Sequence, residues 1–285
     1  VKILSIQSWV AAGHVGNAAA IFPLQRLGAE VLAIHTVQFS NHPGHGAHTG
    51  RALPTAEVGA LVAGLVAHGA LPTCDALLSG YLGDASIGAA VLDAVRQLRA
   101  ANPAALWCCD PVMGDDGRLY VRADIPAFFA ADALPQADIL TPNQFELELL
   151  SGVPCATAAQ AGHAAATLRG RLRAQGPRIV LVSSLRTIET PAHSLDMLLC
   201  CEAGAFCLRA KLLAGKFSGA GDTLAALFLF HCLASGDPVL AAECAASSMA
   251  GLLARTLQSG SAELLTVAAQ DEFTQPSVRI VATRC

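Results

Sequence analysis

From one end to the other, the chain alternates short apolar runs with longer stretches of helical period. Residues 3–7, 31–37, 76–79, 106–109 and 138–140 read as strands. Among and after them, 15–27 (closed by Gly28), 56–68, 85–100, 124–133, 144–151 and 157–175 read as helices. Strands over 178–182, 196–201 and 205–209 follow, the last two a hairpin turning near Gly204. Helices starting at Gly219 and at Pro238 and a strand over 278–281 complete the pattern. Repeated β–α units predict an α/β fold, a mostly parallel sheet flanked by helices on both faces. With 285 residues, no internal repeat and no low-complexity linker, a single domain over 1–285 is expected.

Composition narrows the function classes. Apolar residues make up 53% of the chain and charged residues 14%, which suits a large core and excludes a disordered chain. No apolar run approaches the roughly 18 residues of a membrane span, and the first residues read as a strand rather than a signal segment. A soluble, cytoplasmic protein is expected. The formal charge of −4, with no cluster of Lys or Arg, argues against a nucleic-acid partner. The ten cysteines form no C-x-x-C pair, so neither zinc nor a disulfide framework is indicated. Cys108, Cys109, Cys200 and Cys201 sit in apolar runs and read as buried thiols; Cys74 and Cys285 are expected to be exposed.

In such sheets ligands bind beyond the carboxyl ends of the strands, and the chemistry-bearing residues fall there. Ser8 follows the first strand, 39–50 the second and Gly80-Tyr81 the third. Asp110 to Asp116 follow the fourth, 141–146 the fifth and Ser183-Ser184 the sixth. The segment Lys216-Phe217-Ser218-Gly219-Ala220-Gly221-Asp222-Thr223 says most. Two glycines stand where a loop becomes an apolar helix, so unpaired N–H groups and the helix dipole make an anion cradle. Asp222 in the first turn puts a carboxylate beside it, which is what phosphoryl transfer to an alcohol requires; ordinary capping would use the same residues. The helix front is expected to hold the Asp222 pKa low.

Two further motifs admit two readings each. Asn143 and Glu146, three apart at a helix start, supply hard oxygens suited to Mg²⁺ or a capping arrangement. Asp110-Pro111-Val112-Met113-Gly114-Asp115 is either a cation site beside a nucleotide or an acidic turn. The irregular stretch 40–55 reads as a lid. Its His42, His45 and His48 recur at three-residue intervals, but with no carboxylate or thiol close in sequence they read as loop polarity rather than a metal site.

Taken together these segments resemble the pyridoxal kinases of the ribokinase-like superfamily over nearly the whole chain. The resemblance is carried by Ser5-Ile6-Gln7-Ser8 with Gly13-His14-Val15-Gly16-Asn17, by Thr36-Val37-Gln38-Phe39-Ser40-Asn41-His42, and by Ser79-Gly80-Tyr81. The segments 110–115 and 141–146 and Gly219-Ala220-Gly221-Asp222 continue it in order. It implies ATP-dependent phosphorylation of the 5′-hydroxymethyl group of pyridoxal, with pyridoxine and pyridoxamine as further substrates, by a homodimer using Mg²⁺ and K⁺. By that match Asp222 is the base and Gly219, Ala220 and Gly221 the anion hole. Ser8, Val37, Phe39, Pro43, Gly44 and Tyr81 surround the pyridine ring. Asp110, Thr141, Glu146, Ser183, Arg209, Lys211 and Leu212 serve ATP; Asp115, Asn143 and Glu146 serve Mg²⁺, and Asp110 and Thr141 the monovalent cation.

The chain departs from that pattern in the lid. Pro43 stands where the family carries a threonine that reaches the substrate, and Gly44-His45-Gly46-Ala47-His48 lacks the aromatic residues common there. Ser183 replaces a lysine of some relatives. A hydroxymethylpyrimidine kinase, or a pyridoxal-binding protein with weak turnover, are the alternatives. Lys216 is expected to stay in solvent.

Overall fold

The computed structural model describes all 285 residues. Its strands are β1 (Lys2–Ala12), β2 (Glu30–Asn41), β3 (Gly50–Ala52), β4 (Ala76–Ser79), β5 (Leu106–Cys109), β6 (Gly114–Asp115), β7 (Arg118–Leu119), β8 (Ile139–Leu140), β9 (Ile179–Leu185), β10 (Ser194–Cys201), β11 (Gly204–Lys211) and β12 (Ala282–Arg284). The helices are α1 (Asn17–Arg26), α2 (Thr55–Ala67), α3 (Ala85–Ala101), α4 (Ile125–Phe128), α5 (Gln144–Ser151), α6 (Ala158–Arg171), α7 (Ala220–Ser235), α8 (Pro238–Ser259) and α9 (Asp271–Thr274).

Ten strands form one sheet in the order β12-β11-β10-β9-β8-β5-β4-β1-β2-β3, and β6 and β7 form a separate small hairpin. The central pairs β2–β1–β4–β5–β8–β9 are all parallel. The two flanks, β9–β10–β11–β12 and β2–β3, are antiparallel. This is the expected mostly parallel, ribokinase-like sheet. From β1 the chain goes to β2 on one side and then to β4 on the other, so a topological switch point lies at the carboxyl end of β1.

Why the strands read as continuous apolar runs is visible in the core. Successive residues point to opposite faces, and both faces are covered. Leu4, Ile6, Leu77, Cys109, Leu140, Val180 and Val182 pack beneath α2, α3, α5 and α6. Ile3, Ala76, Leu78, Cys108, Ile139, Ile179 and Leu181 pack beneath α7 and α8. Helix α7 is buried over seven consecutive residues, Thr223 to Leu229, because α1, α8 and the sheet enclose it.

Several boundaries differ from the sequence expectation. β1 and β2 run on past residues 7 and 37 to Ala12 and Asn41, carrying the lid on an extension of the sheet, and β3 pairs back onto Val37–Phe39. The expected helix over 124–133 is α4 followed by a wide π turn at Phe129–Ala133. The final strand is not 278–281 but β12: Ile280 N–H donates to Ser247 Oγ on α8, and pairing with β11 starts only beyond it. Cys74, expected to be exposed, is buried, its Sγ 3.3 Å from Ala76 O; Cys285 is exposed. All ten thiols are free.

Candidate active site

A cavity of about 570 Å³ opens at the carboxyl edge of the parallel strands. It gathers residues from seven separate stretches of the chain. From the β1 and β2 ends come Ser8, Val37 and Phe39; from the lid Pro43 and Gly44; from the β4 end Tyr81. Asp110 and Asp115 come from the β5 end, Thr141, Asn143 and Glu146 from the β8 end, and Ser183 from β9. Gly219, Ala220, Gly221 and Asp222 close the ring. Sixteen of the nineteen residues singled out in the sequence therefore meet in one place.

The other three do not line it. Arg209 lies on β11 with its guanidinium spent on Asp196, Nε to Oδ1 at 2.7 Å and Nη2 to Oδ2 at 2.8 Å. Lys211 ends β11, and Leu212 N–H is held by His193 O. Lys216 is 91% exposed and pairs only with Asp116, as expected for a solvated lysine.

The front of α7 is built by two glycines with different tasks. Gly219 is the N-cap with φ +83°, and a Cβ there would run into the carbonyl oxygen of His14. Only glycine fits that left-handed, close-packed position. A Cβ at Gly221 would meet no protein atom within 4 Å, so the space before it is open to the cavity. Ala220 N–H donates to Phe217 O at 3.2 Å, and Gly219, Ala220 and Gly221 all border the concave pocket, the setting in which a helix front receives an anion.

Asp222 differs from the sequence expectation. Desolvation by burial raises its pKa above the ordinary carboxylate value, although the Gly16 N–H and its own amide pull it down. At this site burial outweighs the helix front, and the side chain is a better proton acceptor for it.

Across the cavity the acidic motifs are locked in place. Asn143 and Glu146 form a complete capping box for α5: Asn143 Oδ1 accepts the Glu146 N–H, and Glu146 Oε2 accepts the Asn143 N–H, each at 2.9 Å. Glu146 Oε1 also accepts the Met113 N–H at 2.8 Å, and Asn143 Nδ2 donates to Gly114 O at 2.7 Å. The capping reading is thus satisfied, and the same residues tie the 110–115 turn to α5 at the cavity wall. Burial pushes the Glu146 pKa up to about 8 in spite of these donors. Asp110 accepts the Thr141 hydroxyl at 3.1 Å; burial first, then the Glu146 and Asp222 carboxylates, raise it well above its usual value.

That donor set fits a divalent cation. Buried hard oxygens on several elements crowd together with too much negative charge, and a cation would relieve it. No three His, Cys, Asp or Glu side chains lie close enough to hold a metal by themselves. A Mg²⁺ ion would therefore be shared with water and phosphate oxygens, its usual habit. The same finding bears on His42, His45 and His48, which form no metal cluster.

Seven lining residues were given no site role from the sequence: Val15, His42, Val112, Ser184 and Phe217, which stand inside the quoted motifs, and Val10 and Tyr120, which stand outside them. Val10 shares a face with Ser8 two residues on, and ending β1 too early hid it. Tyr120 follows the β6–β7 hairpin, whose two-residue strands leave no periodic signal. Ser184 carries a left-handed φ of +54°, which no pattern in the sequence announces.

A helix front beside a carboxylate, at the switch edge of such a sheet, is the arrangement that an α/β kinase of the ribokinase-like class would use to transfer a phosphoryl group. A family model for phosphomethylpyrimidine kinases matches residues 31–265. The pyridoxal kinase PdxY of Granulibacter bethesdensis is 55% identical over the full length of both chains. That of Deinococcus radiodurans is 50% identical, with 99% of this chain and 96% of the relative covered. Among solved structures, pyridoxal kinase from Leishmania donovani in complex with ADP and pyridoxamine superposes with a TM-score of 0.91 at 32% identity, 99% and 98% of the two chains being covered. The chain belongs to the family that this model describes and, within it, to the pyridoxal kinases.

Proposed function

We propose that the chain transfers the γ-phosphoryl group of ATP to the 5′-hydroxymethyl group of pyridoxal, and also accepts pyridoxine and pyridoxamine. The observation that carries this reading is the open, glycine-fronted end of α7 with Asp222 beside it, facing the acidic wall across one cavity. Ser8 contacts the ring polar atoms, and Val37, Phe39 and Tyr81 wall the ring. The Gly219–Ala220–Gly221 amides receive the phosphoryl oxygens. Asp222 orients the hydroxyl and takes its proton late, which a loose phosphoryl-transfer transition state permits. Its raised pKa matches that task. Ser183 contacts the phosphates; Arg209 and Lys211 on β11 and Leu212 just after it stand outside the cavity lining and are given no role.

Asp110, Asp115, Thr141, Asn143 and Glu146 hold the cations, Mg²⁺ with Glu146 and K⁺ with Asp110 and Thr141. When bound, Mg²⁺ neutralises phosphate charge, which a chain with 18 basic against 22 acidic residues does little to neutralise itself. The enzyme works as a homodimer, a reading that rests on the family resemblance and that sedimentation would check. A cytoplasmic location accords with ten free thiols; no helix is long and apolar enough to cross a membrane.

The test is ADP release with each vitamin B6 alcohol, with and without K⁺, and with hydroxymethylpyrimidine in parallel. The family model's own description makes that pyrimidine the proper rival. Turnover with pyridoxal that exceeds turnover with the pyrimidine is expected. The reverse order transfers the assignment to the pyrimidine, and binding of pyridoxal without ADP release makes the chain a binding protein.

A further inference from the structure

Glu263 stands on the turn after α8, outside every motif of the cavity. Its Oε2 accepts the backbone N–H of His14 at 3.1 Å, and its Oε1 lies 3.0 Å from Nδ1 of His45. The other ring nitrogen of His45, Nε2, lies 3.3 Å from Ser218 Oγ, one residue before Gly219. With the Nδ1–H given to the carboxylate, Nε2 accepts from the serine hydroxyl; an imidazolium would instead donate from both nitrogens. The chain of contacts survives in either state.

One imidazole thus joins three walls of the site. It sits at the end of the short lid turn Pro43–His45, beside His42, whose ring lies 5.2 Å away and lines the cavity. Glu263 ties it to the loop after β1, where the His14 carbonyl lies under Gly219. Ser218 ties it to the anion cradle. Every other hydrogen bond made by residues 43–48 stays within residues 40–49. The lid tip is fastened to the body of the molecule by His45.

We propose that His45 is a positioning residue: through Glu263 and Ser218 it holds the lid turn against the anion cradle and keeps water from the transferring phosphoryl group. This rests on the kinase reading above. An exposed lid that excludes water is a recurrent device in phosphoryl transfer, and its failure shows as hydrolysis rather than as lost chemistry.

The test replaces His45 in the full-length protein and reads two things. In His45→Ala, KM for pyridoxal should rise about tenfold, the size of one lost charge-assisted hydrogen bond in a partly exposed place, with KM for ATP unmoved. ADP released should exceed phosphorylated alcohol, where the parent gives one for one. His45→Asn keeps the proximal donor to Glu263 and should recover most of the effect; His45→Gln keeps the distal contact to Ser218 and should recover less. Glu263→Ala should mimic His45→Ala, and the double variant should be no worse than either. Hydrogen exchange at the hydrogen-bonded amides of Gly44 and His45 should quicken about tenfold in His45→Ala without any need for turnover. Unchanged exchange, or one-for-one product with the parent KM, overturns the proposal. Faster exchange in a protein whose parent phosphorylates no pyridine alcohol leaves the latch standing and removes the kinase reading instead.

Discussion

The two ends of the cavity are held in opposite ways. At the β5–β8 end, Asp110, Thr141, Asn143 and Glu146 are held by side-chain hydrogen bonds that are buried or partly so, reaching across some 30 residues of sequence. At the lid end, His42 to His48 bond mostly to one another, on the surface, and are joined to the rest through His45. On the function proposed above, the first end places charge and must not move, while the second admits the substrate and must. Groups at the fixed end should therefore govern turnover and metal dependence, and groups at the lid should govern the acceptor's KM.

The largest expected effect is at the helix front. Asp222→Asn keeps the shape and removes the proton acceptor, so kcat should fall about a thousandfold with little change in KM for either substrate. Near-parental turnover would remove Asp222 from that role. Because burial raises the Asp222 pKa, and the side chain acts unprotonated, the acid limb of kcat/KM should lie above the ordinary carboxylate range and be absent in the variant. Next comes Gly219→Ala, which meets both a positive φ and the His14 carbonyl. It should cost about 2 kcal/mol or more of stability and lower kcat/KM about a hundredfold by displacing the amides. An active, equally stable variant would mean that the turn is not the tight one seen.

The acidic wall gives a middling effect with a definite sign. Glu146 binds its proton up to about pH 8 in the folded chain and only to about 4.5 when free. Its contribution to stability is thus full below about 4.5 and is lost as pH rises through about 8. Asp110, raised by burial and by the neighbouring carboxylates, acts in the same direction. The thermal midpoint of metal-free protein should fall between pH 5 and pH 8, and Mg²⁺ should restore several degrees at pH 8 and few at pH 5, since ligand linkage acts only where the cation can replace the proton. A flat profile, or equal Mg²⁺ effects at both values, would show that these carboxylates do not share a cation.

The fixed end was also the legible one. Asn143 to Glu146, Asp110 to Asp115 and Gly219 to Asp222 each follow a strand and precede a helix or turn, so local spacing announces them. The sheet's parallel centre was legible for the same reason: strands buried on both faces are apolar without interruption, as at Ala76–Ser79. What failed was whatever depends on distant partners. Nothing near residue 40 predicts that β2 runs on to Asn41, because β1 and β3 supply its hydrogen bonds. Nothing near Glu263 predicts a contact with His45, 218 residues away. The direction of the Asp222 shift failed likewise, since a helix front is local and the burial that overrides it is not.

The smallest effect should come from Pro43, the residue at which the lid departs most plainly from the family pattern. It opens the short Pro43–His45 turn, lines the cavity and offers no donor. His42, already beside it, has its pKa lowered first by burial and then by His45, and its Nδ1 accepts the Gly44 N–H. The neutral ring therefore carries its proton on Nε2, leaving one donor at this rim of the cavity. Pro43→Thr adds a hydroxyl there, and it also frees a backbone that proline had fixed. The two consequences oppose each other: a hydrogen bond gained to the ring substituents should lower KM for pyridoxal, while a looser turn should raise it. A net fall in KM of about threefold, with kcat and KM for ATP unchanged, is expected, because one neutral hydrogen bond is worth somewhat more than the backbone freedom restored. A rise in KM would mean that the stiffness of the turn matters more than its chemistry, and that the lid is less free than its sparse bonding implies.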